Sequence, residues 1–419
     1  MRKRIILETQ SALSISGSPA LGNLNRTLDY IPGTVLRGAL AEAYHRKHDN
    51  RSGDFQQLFC DDEVRYGNLY PIVHGTQRGS QPIPLTAYTC KRRQGFLGDG
   101  RSSECHGVRD LLIDLMIYQE TQDGAVVPDK CGHPGACPAP LDRYTGFCSY
   151  SGGQQRYKSN RPHKRQLGRT AIADHTQSAL YGSLHTLEAL NEAQQFAGYI
   201  YVSNVTLANP LDDLVDSNPL LLGRGVSKGL GECHKDTFDN GNLFPDSLDL
   251  EQRLQQLNQE VQARFAQHGR SCLKAFFSLT CYSDIVLRDG FFRYQSVLNL
   301  GDLRRYLSPA NQTLVDGFSP HSVHTHLRTV AGWNAAWRLP KEEALAMVKG
   351  SVFVYAKPAA SDEERQQVLQ QIQPALQELE TNGVGERRAE GFGAVVVCNP
   401  FHWCHNASPT HRQDSDLWL

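Results

Sequence analysis

Two clusters of glycine, set far apart in the chain, constrain its fold more than any other feature of the sequence. The first cluster is Gly223–Gly231 and the second is Gly383–Gly393, and in each of them the glycines come in pairs of the form Gly-x-Gly. Glycine is needed where the backbone takes positive φ angles or passes close to another group, because it has no Cβ atom. Two such loops in one chain indicate two halves that are built in a similar way.

Each glycine cluster also carries basic side chains. Backbone amides in such loops form concave anion sites, and together with arginine and lysine they hold the phosphates of a nucleic-acid backbone. We therefore predict contact with RNA or phosphate at Gly223, Arg224, Gly225, Lys228, Gly229, Gly383, Gly385, Arg387, Arg388 and Gly391. The spacing fits no nucleotide-cofactor motif, since neither loop ends in the Lys-Ser/Thr of a P-loop, and Lys228 and Arg388 stand where a dinucleotide fingerprint needs its third glycine. The alternative for each loop is an ordinary glycine-rich hairpin end.

Length and charge narrow the class of protein. With 419 residues the chain is long enough for two or three domains, and its formal net charge of −1 argues against a protein that coats nucleic acid without specificity. The stretch Met1–Leu7 has too short an apolar core for a signal peptide, and no apolar run is long enough to span a membrane. We expect a cytoplasmic protein that contacts no membrane and whose 11 cysteines are reduced.

The pattern of apolar residues predicts an α+β fold made of two units. In the first unit we predict a strand at Arg4–Ser16, a helix from Thr34, a helix over Ala179–Ala197, a strand at Gly198–Leu207 and a helix around Leu248–His268. In the second we predict strands at Leu273–Leu287, Gly350–Ala356 and Phe392–Cys398, and a helix that runs from a cap at Ser361 to about Thr381. The predicted domains are 1–270, with an insertion at about 75–170, and 271–405, followed by a polar tail at 406–419.

The insertion at about 75–170 is rich in Gly, Pro, Cys, Arg and Ser and holds few residues that can form a core. Zinc suits its cysteines, because this ion takes four ligands and stabilises a segment that lacks a core of its own. The predicted ligands of a structural zinc are Cys90, Cys105, Cys131 and Cys137, with His106, His133 or Cys148 as replacements for any of them. The alternative is a set of unpaired thiols in a loop. The dispersed cysteines are predicted to be small core residues: Cys60, Cys233, Cys272, Cys281, Cys398 and Cys404.

A basic stretch closes the insertion. Arg156–Arg169 carries six lysines and arginines and no acid, and Lys91–Arg93 adds three more cations earlier in the insertion. Such a run is either a solvated loop or a surface that follows RNA phosphates.

Two segments resemble motifs of a known superfamily. Tyr30–Gly38 (YIPGTVLRG) is similar to the first-helix motif of the RAMP superfamily of CRISPR-associated proteins, and Gly383–Gly393 (GVGERRAEGFG) is similar to its terminal glycine-rich loop. With its cysteine-bearing insertion the chain resembles most closely the Csx-ten family, the large, Cas-five-like RAMP subunit of type III-D effector complexes. The resemblance implies two RRM-like domains, each ferredoxin-like with the order βαββαβ, and it extends the predicted RNA contacts to Gly33 and Arg37.

The resemblance also implies a function. The chain would be a non-catalytic subunit of antiviral, RNA-guided defence that holds the repeat-derived 5′ tag of the CRISPR RNA. Its neighbours would be the large Cas-ten-type subunit and the backbone RAMP subunits, and it would meet the target RNA only indirectly.

An enzyme is the main alternative. Related RAMP proteins cut CRISPR RNA precursors with the help of histidine, and a Cas-six-like, metal-independent endoribonuclease would use His45, or a histidine of the cluster His321, His324 and His326, as general acid or base. Asp29 is the acid beside the Pro-Gly turn, but we expect neither it nor a histidine to be catalytic. A third interpretation is a metal-stapled assembly protein whose glycine loops contact protein neighbours.

Overall fold

A computed structural model describes residues 1–17, 24–48, 54–97, 105–132, 137–151, 156–216, 219–245, 247–334 and 339–403 of the chain. The α-helices in these ranges are α1 (Gly33–Lys47), α2 (Phe55–Phe59), α3 (Leu112–Thr121), α4 (Ala208–Val215), α5 (Leu250–Gln267), α6 (Leu300–Arg305) and α7 (Asp362–Asn382). None of these described helices is long and apolar enough to cross a membrane.

The strands in the same ranges are β1 (Arg2–Thr9), β2 (Leu24–Asn25), β3 (Val64–Tyr66), β4 (Tyr70–Ile72), β5 (Gln81–Pro82), β6 (Ala87–Cys90), β7 (Val108–Asp110), β8 (Leu141–Arg143), β9 (Phe147–Ser151), β10 (Arg156–Ser159), β11 (Lys164–Arg169), β12 (His185–Leu190), β13 (Gln195–Val202), β14 (Leu220–Leu221), β15 (Glu232–Asp239), β16 (Lys274–Cys281), β17 (Ile285–Val286), β18 (Ser319–His324), β19 (Leu327–Val330), β20 (Trp333–Asn334), β21 (Leu339–Pro340), β22 (Ala344–Met347), β23 (Val352–Pro358) and β24 (Val395–Val397).

The first domain is built on a sheet with β1 at its centre. β1 pairs antiparallel with β13 on one side and with β15 on the other, and β13 pairs in turn with β3 and β4. The chain passes through β1, α1, β3, β13, α4 and β15, and the sheet order β15-β1-β13-β3 is that of a ferredoxin-like βαββαβ domain. Ile5 and Leu7 share a core with Leu36 and Leu40 of α1, because alternate strand residues share a face and helix residues four apart share a side.

The second domain repeats this topology. β16 lies between β23 and β24, β18 is the outer strand, and the chain passes through β16, α6, β18, β23, α7 and β24. The predicted α+β fold of two RRM-like domains is thus confirmed. Helix α5 belongs to this second core, where Leu254, Leu257 and Phe265 lie in one cluster with Phe277 and Leu376. Helix α5 thus packs with the second core, and the boundary at residue 270 stays a prediction.

The insertion buries more surface than its composition predicts. Strands β5, β9 and β10 form one small sheet, and β6, β7 and β8 form another. Phe96 and Tyr157 form a small core together with Phe401 of the second domain. Helix α3 of the insertion contributes Met116 and Ile117 to the large core of the second domain. The insertion is therefore held by the second domain, although the chain enters and leaves it from the first.

The helix predicted over Ala179–Ala197 is wrong. Strand β12 lies in this segment and pairs antiparallel with β11, and β13 begins at Gln195. The spacing of Leu184, Leu187 and Leu190 imitates the period of a helix, but the ladder to β11 decides the conformation.

The dispersed cysteines follow the prediction with one correction. Cys233, Cys272, Cys281 and Cys398 are buried, whereas Cys60 is exposed. Cys60 follows α2, whose buried side chains are those of Leu58 and Phe59, so the next residue faces solvent. Cys404, His133 and the predicted tail 406–419 lie outside the described residues.

Candidate functional site

The two glycine loops occupy the same place in their domains. The first lies between α4 and β15, the second between α7 and β24, and each therefore joins the second helix to the fourth strand of a ferredoxin-like unit. Both loops are closed by the same hydrogen bond at 2.8 Å: the amide of Leu222 donates to the carbonyl oxygen of Gly231, and the amide of Val384 donates to that of Gly393. The two halves are alike in this loop as well as in topology.

The correspondence extends through nine residues. Gly223–Gly231 matches Gly385–Gly393 in backbone conformation and in hydrogen bonds. The third residue of each loop, Gly225 in one and Arg387 in the other, is left-handed with a φ of 79° or 57°, and a short 3-10 turn follows it. Each loop thus makes the same sharp turn.

In the first loop this turn has the backbone geometry of an anion-binding concavity and is open to solvent. A left-handed residue followed by right-handed ones points successive amides to one side and forms a concavity for an anion. The amides of residues 225–227 have no hydrogen-bond acceptor among the described residues. Arg224 and Lys228, next to these three residues on either side, are exposed. The loop offers amides and cations to the same volume of solvent.

The second loop is packed between the domains. All four of its glycines are buried, and a Cβ atom on Gly391 would lie 2.7 Å from Oδ1 of Asn68 and 3.1 Å from Cα of Gly33. Gly33 is the first residue of α1, and its amide donates a 2.9 Å hydrogen bond to Oδ1 of Asn68. The first-helix motif and the second loop, which we predicted as separate RNA contacts, therefore touch each other. At this contact Gly33 and Gly391 are required for the close approach of two backbones.

Three cations of this junction converge on one carboxylate. Nη2 of Arg387 and Nζ of Lys341 lie 2.7 and 2.9 Å from Oε2 of Glu390, and Nη1 of Arg37 lies 3.4 Å from Oε1. Burial by itself raises the pKa of Glu390, but the charges and hydrogen bonds of Arg387 and Lys341 outweigh it and lower this pKa to about 2. Three cations around one carboxylate leave positive charge in excess, which attracts a further anion.

Three residues of this junction were not predicted from the sequence. Glu390 lies inside the second loop, and its position beside Arg387 and Arg388 was an available signal. Asn68 and Lys341 reach the junction only through the tertiary fold, and no local pattern marks them.

The insertion brings together a set of metal-ligating side chains. Cys90, His106, Cys131 and Cys137 place their ligand atoms within 4.8 Å of one another. The Sγ atoms of Cys90 and Cys137 are 4.0 Å apart, and Nδ1 of His106 lies 3.2 Å from Sγ of Cys131. Two thiolates on one tetrahedral zinc lie about 3.7 Å apart, given Zn–S bonds of about 2.3 Å. This donor set fits zinc.

The cluster differs from the prediction at one position. Sγ of Cys105 lies 3.1 Å from the carbonyl oxygen of Gln94, and its neighbour His106 takes the fourth place. The Cys105 thiol is engaged by this carbonyl oxygen, so His106 and not Cys105 belongs to the cluster. Cys148 is buried in the small core of the insertion instead.

Backbone amides favour the thiolate form of Cys90. Burial raises the pKa of its thiol, but the backbone amides of Arg93 and Arg92 and the thiols of Cys131 and Cys137 lower it to below the ordinary value. A lowered pKa is typical of a metal-ligating cysteine.

The candidate catalytic histidines do not form a site together. His45 is exposed at the end of α1, its ring 5.0 Å from that of Phe55. Nε2 of His321 lies 2.8 Å from Oε1 of Glu120 in the insertion, and burial lowers the pKa of His321. Burial likewise lowers the pKa of His324, to about 4, and His326 pairs with Arg143 of the insertion. Three of the four thus lie where the insertion meets the second domain.

Asp29 and the basic stretch meet on the first domain. Asp29 forms an ion pair with Lys164, which also lies 3.5 Å from Glu188. Arg165 lies 3.0 Å from Glu192. The basic stretch Arg156–Arg169 includes strands β10 and β11. Its ion pairs with Asp29, Glu188 and Glu192 neutralise part of its positive charge.

Comparison with known proteins gives distant structural similarities. No family model matches the sequence. No curated protein matches it either. A chain of Type III-B Cmr-beta bound to cognate target RNA and AMPPnP is 10% identical over 84% of this chain and 86% of that chain, with a TM-score of 0.41. A chain of a Cas6 product complex is 15% identical over 49% of this chain and 78% of that one, with a TM-score of 0.30. At these values no family is assigned to the chain.

Proposed function

We propose that this chain binds RNA through its first glycine loop. The observation that carries the proposal is the turn at residues 225–227, whose three amides lack an acceptor among the described residues and are flanked by the exposed cations Arg224 and Lys228. Amides and cations that face the same volume are the groups that hold RNA phosphates. The excess positive charge of Arg37, Lys341 and Arg387 offers a second phosphate contact at the domain junction.

In its finer form the proposal is a non-catalytic subunit of a type III CRISPR effector complex that holds the 5′ tag of the CRISPR RNA. The support is the resemblance of Tyr30–Gly38 and Gly383–Gly393 to RAMP motifs, together with two ferredoxin-like domains that carry a glycine loop at the same position. The large Cas-ten-type subunit and the backbone RAMP subunits are the proposed neighbours.

We propose further that the cluster of Cys90, His106, Cys131 and Cys137 holds a structural zinc. Three thiols and one imidazole within 4.8 Å of one another supply a full tetrahedral set, which leaves no open position for catalysis. Its role would be to fix strand β6 to the loops that carry the other ligands.

The test is binding of labelled RNA that begins with a constant repeat-derived segment. In the double variant Arg224→Ala/Lys228→Ala we expect affinity to fall by about tenfold or more, because hydrogen bonds to charged groups contribute about 1.5–3 kcal/mol each. The slope of log affinity against log salt should decrease by about one for each phosphate that the variant no longer binds. The matched control is Arg46→Ala/Arg270→Ala, which removes two exposed cations elsewhere. Equal affinity of the two double variants contradicts the proposed site.

The same labelled RNA also tests whether the chain only binds RNA or cleaves it. We expect it to stay intact during incubation with the purified protein in the absence of divalent metal. Cleavage that disappears in His45→Ala would favour the endoribonuclease instead.

A further inference from the structure

A cleft of about 1480 Å³ opens between the two domains, away from the first glycine loop. Its floor is the face of the first sheet that is turned away from α1, and it includes Arg2, Arg65, Tyr199 and Tyr201. Parts of α5, α7 and the insertion form its walls. This volume exceeds the 300–1,000 Å³ that is usual for small-molecule pockets, so the cleft has room for a segment of a polymer.

The floor of the cleft pairs cations with aromatic rings. The guanidinium of Arg2 lies 4.3 Å from the ring centre of Tyr199, and that of Arg65 lies 5.3 Å from the ring centre of Tyr201. Tyr199 is buried, whereas Tyr201 is partly buried and lines the cleft. Arginine and tyrosine stacked in this way present a positive charge and a flat π surface side by side.

Neither of these arginines forms an ion pair with an acid among the described residues, and the carboxylate that acts on Arg65 from a distance is that of Asp62. The side chain of Arg2 has no hydrogen-bond or ion-pair partner among the described residues. Arg65 donates to the carbonyl oxygens of Thr381 and Asn382, which are neutral. The carboxylate of Glu380 on the cleft wall is already engaged by Arg253, in a bidentate pair with two bonds of 2.8 Å. The floor therefore keeps its positive charge.

The cleft borders the second glycine loop. Asn382 lines the cleft and directly precedes Gly383. Nη1 of Arg388 donates a hydrogen bond to the carbonyl oxygen of Asn382 at 3.3 Å. A chain that lies on the floor can thus reach the basic junction of Arg37 and Arg387 without leaving the protein surface.

We propose that the interdomain cleft binds unpaired nucleotides, with a base stacked on Tyr201 and a phosphate held by Arg2 and Arg65. A positive groove lined with aromatic rings is how proteins hold single strands without reading their sequence, because every base has a π face and every nucleotide a phosphate. This inference rests on the proposed RNA-binding function and adds a second place of contact to it. Oligonucleotides and free mononucleotides share the chemistry, and the test distinguishes them.

The first measurement is the affinity of a short oligouridylate by fluorescence anisotropy. We expect Tyr201→Leu to lower affinity by about tenfold, within the range of about 1–3 kcal/mol that one stacked base contributes. Arg2→Ala should also lower it, while Arg2→Lys should retain most of it. The control Arg270→Ala removes one exposed cation far from the cleft lining and should leave affinity unchanged. Circular dichroism and thermal melting check that each variant is folded, and Arg2→Ala tests the cleft even if Tyr201→Leu is destabilised.

The second measurement locates the RNA directly. Thiouridine-substituted oligonucleotide, cross-linked by light to the intact protein, should yield modified peptides from β13 that contain Tyr201. Competition with uridine monophosphate at equal nucleotide concentration tests the source: a polymer site keeps the cross-link, and a mononucleotide site loses it. A third competitor is an acidic peptide. If this peptide abolishes the cross-link, the cleft is a site for a protein partner and the proposal is overturned.

The two proposals fail in different ways. Wild-type affinity in Tyr201→Leu and Arg2→Ala, combined with loss of affinity in Arg224→Ala/Lys228→Ala, overturns the cleft and keeps the loop. Absence of any RNA binding by the wild-type protein overturns the proposed function itself.

Discussion

At the scale of single residues, the composition of the Cys/His cluster in the insertion depends on whether Cys105 or its neighbour His106 faces it. Nδ1 of His106 lies 3.2 Å from Sγ of Cys131, whereas Sγ of Cys105 lies against the carbonyl oxygen of Gln94. The sequence named three ligands of this cluster and offered His106 as a replacement, but spacing alone does not decide between adjacent residues. Their orientation is set by the tertiary contacts of each side chain, Cys105 with Gln94 and His106 with Cys131.

The first prediction compares these two neighbours. His106→Ala should release the metal from the purified protein, because three ligands remain where zinc needs four. Cys105→Ala should keep the full metal content, since its thiol lies outside the cluster. Metal content by elemental analysis, normalised to protein, is the readout. Equal loss in both variants would place Cys105 among the ligands after all.

The second prediction concerns Glu390. Its pKa in the folded protein, about 2, lies below the ordinary value of 4.5, so its ionised form stabilises the fold at neutral pH. This contribution, on the order of 3 kcal/mol, is fully present above about pH 4.5 and is lost as the pH falls towards 2. Glu390→Gln should therefore flatten the acid side of a plot of unfolding free energy against pH. The exposed Glu343→Gln should leave that plot unchanged.

At the scale of elements, the two glycine loops have the same backbone conformation, but the first is exposed and the second is packed between the domains. The sequence located both loops from their Gly-x-Gly pairs, and the hydrogen bonds of the structure show that Gly223 corresponds to Gly385. Gly383 instead ends α7, where its amide donates to Leu379. Local signals of this kind, such as the Ser361 cap of α7, were predicted correctly because they depend on neighbouring residues. The segment of β12 was predicted wrongly because its partner β11 decides its conformation.

The third prediction uses a matched pair of glycines. Gly229 and Gly391 hold equivalent positions with φ angles of 76° and 91°, so alanine is strained at both, at a cost of about 1–2 kcal/mol. A Cβ atom on Gly229 meets nothing within 4 Å, whereas one on Gly391 meets Asn68 and Gly33 of the other domain. Gly391→Ala should therefore lower the free energy of unfolding by about 1–3 kcal/mol more than Gly229→Ala does. Urea titrations of both variants supply the comparison, and equal decreases would contradict the packed junction.

At the scale of the whole molecule, the insertion ties the two domains together. It leaves the first domain after β4, yet Met116 of its helix α3 lies in the core of the second. Its Asp110 also accepts from Nδ1 of His402 at 3.1 Å, and Nε2 of His402 lies 2.9 Å from Oγ1 of Thr280 in β16. The composition of the insertion predicts that it has few core residues. Composition does not show that the insertion packs on the core of the second domain, which follows much later in the chain.

The fourth prediction follows from the packing of the insertion on the core of the second domain. Removal of the metal by a chelator should increase amide hydrogen exchange in β6 and β7, and also in α3 and α5, because the two helices share one core with the second domain. Added zinc should restore the protection, and His106→Ala should show the increased exchange without chelator. Exchange that rises in the strands of the insertion alone would mean that the domains do not depend on the metal.

Because the two loops are equivalent, the charges at their sixth positions can be compared directly. Lys228 and Glu390 are the sixth residues of their loops, and they carry opposite charges. In the second loop the protein supplies one counter-ion of its own, because the carboxylate of Glu390 neutralises part of the charge of Lys341 and Arg387. In the first loop the same place is held by Lys228, which has no ion-pair partner among the residues that the structure describes. The charge at this position thus differs between a loop that is packed between the domains and a loop that is exposed to solvent.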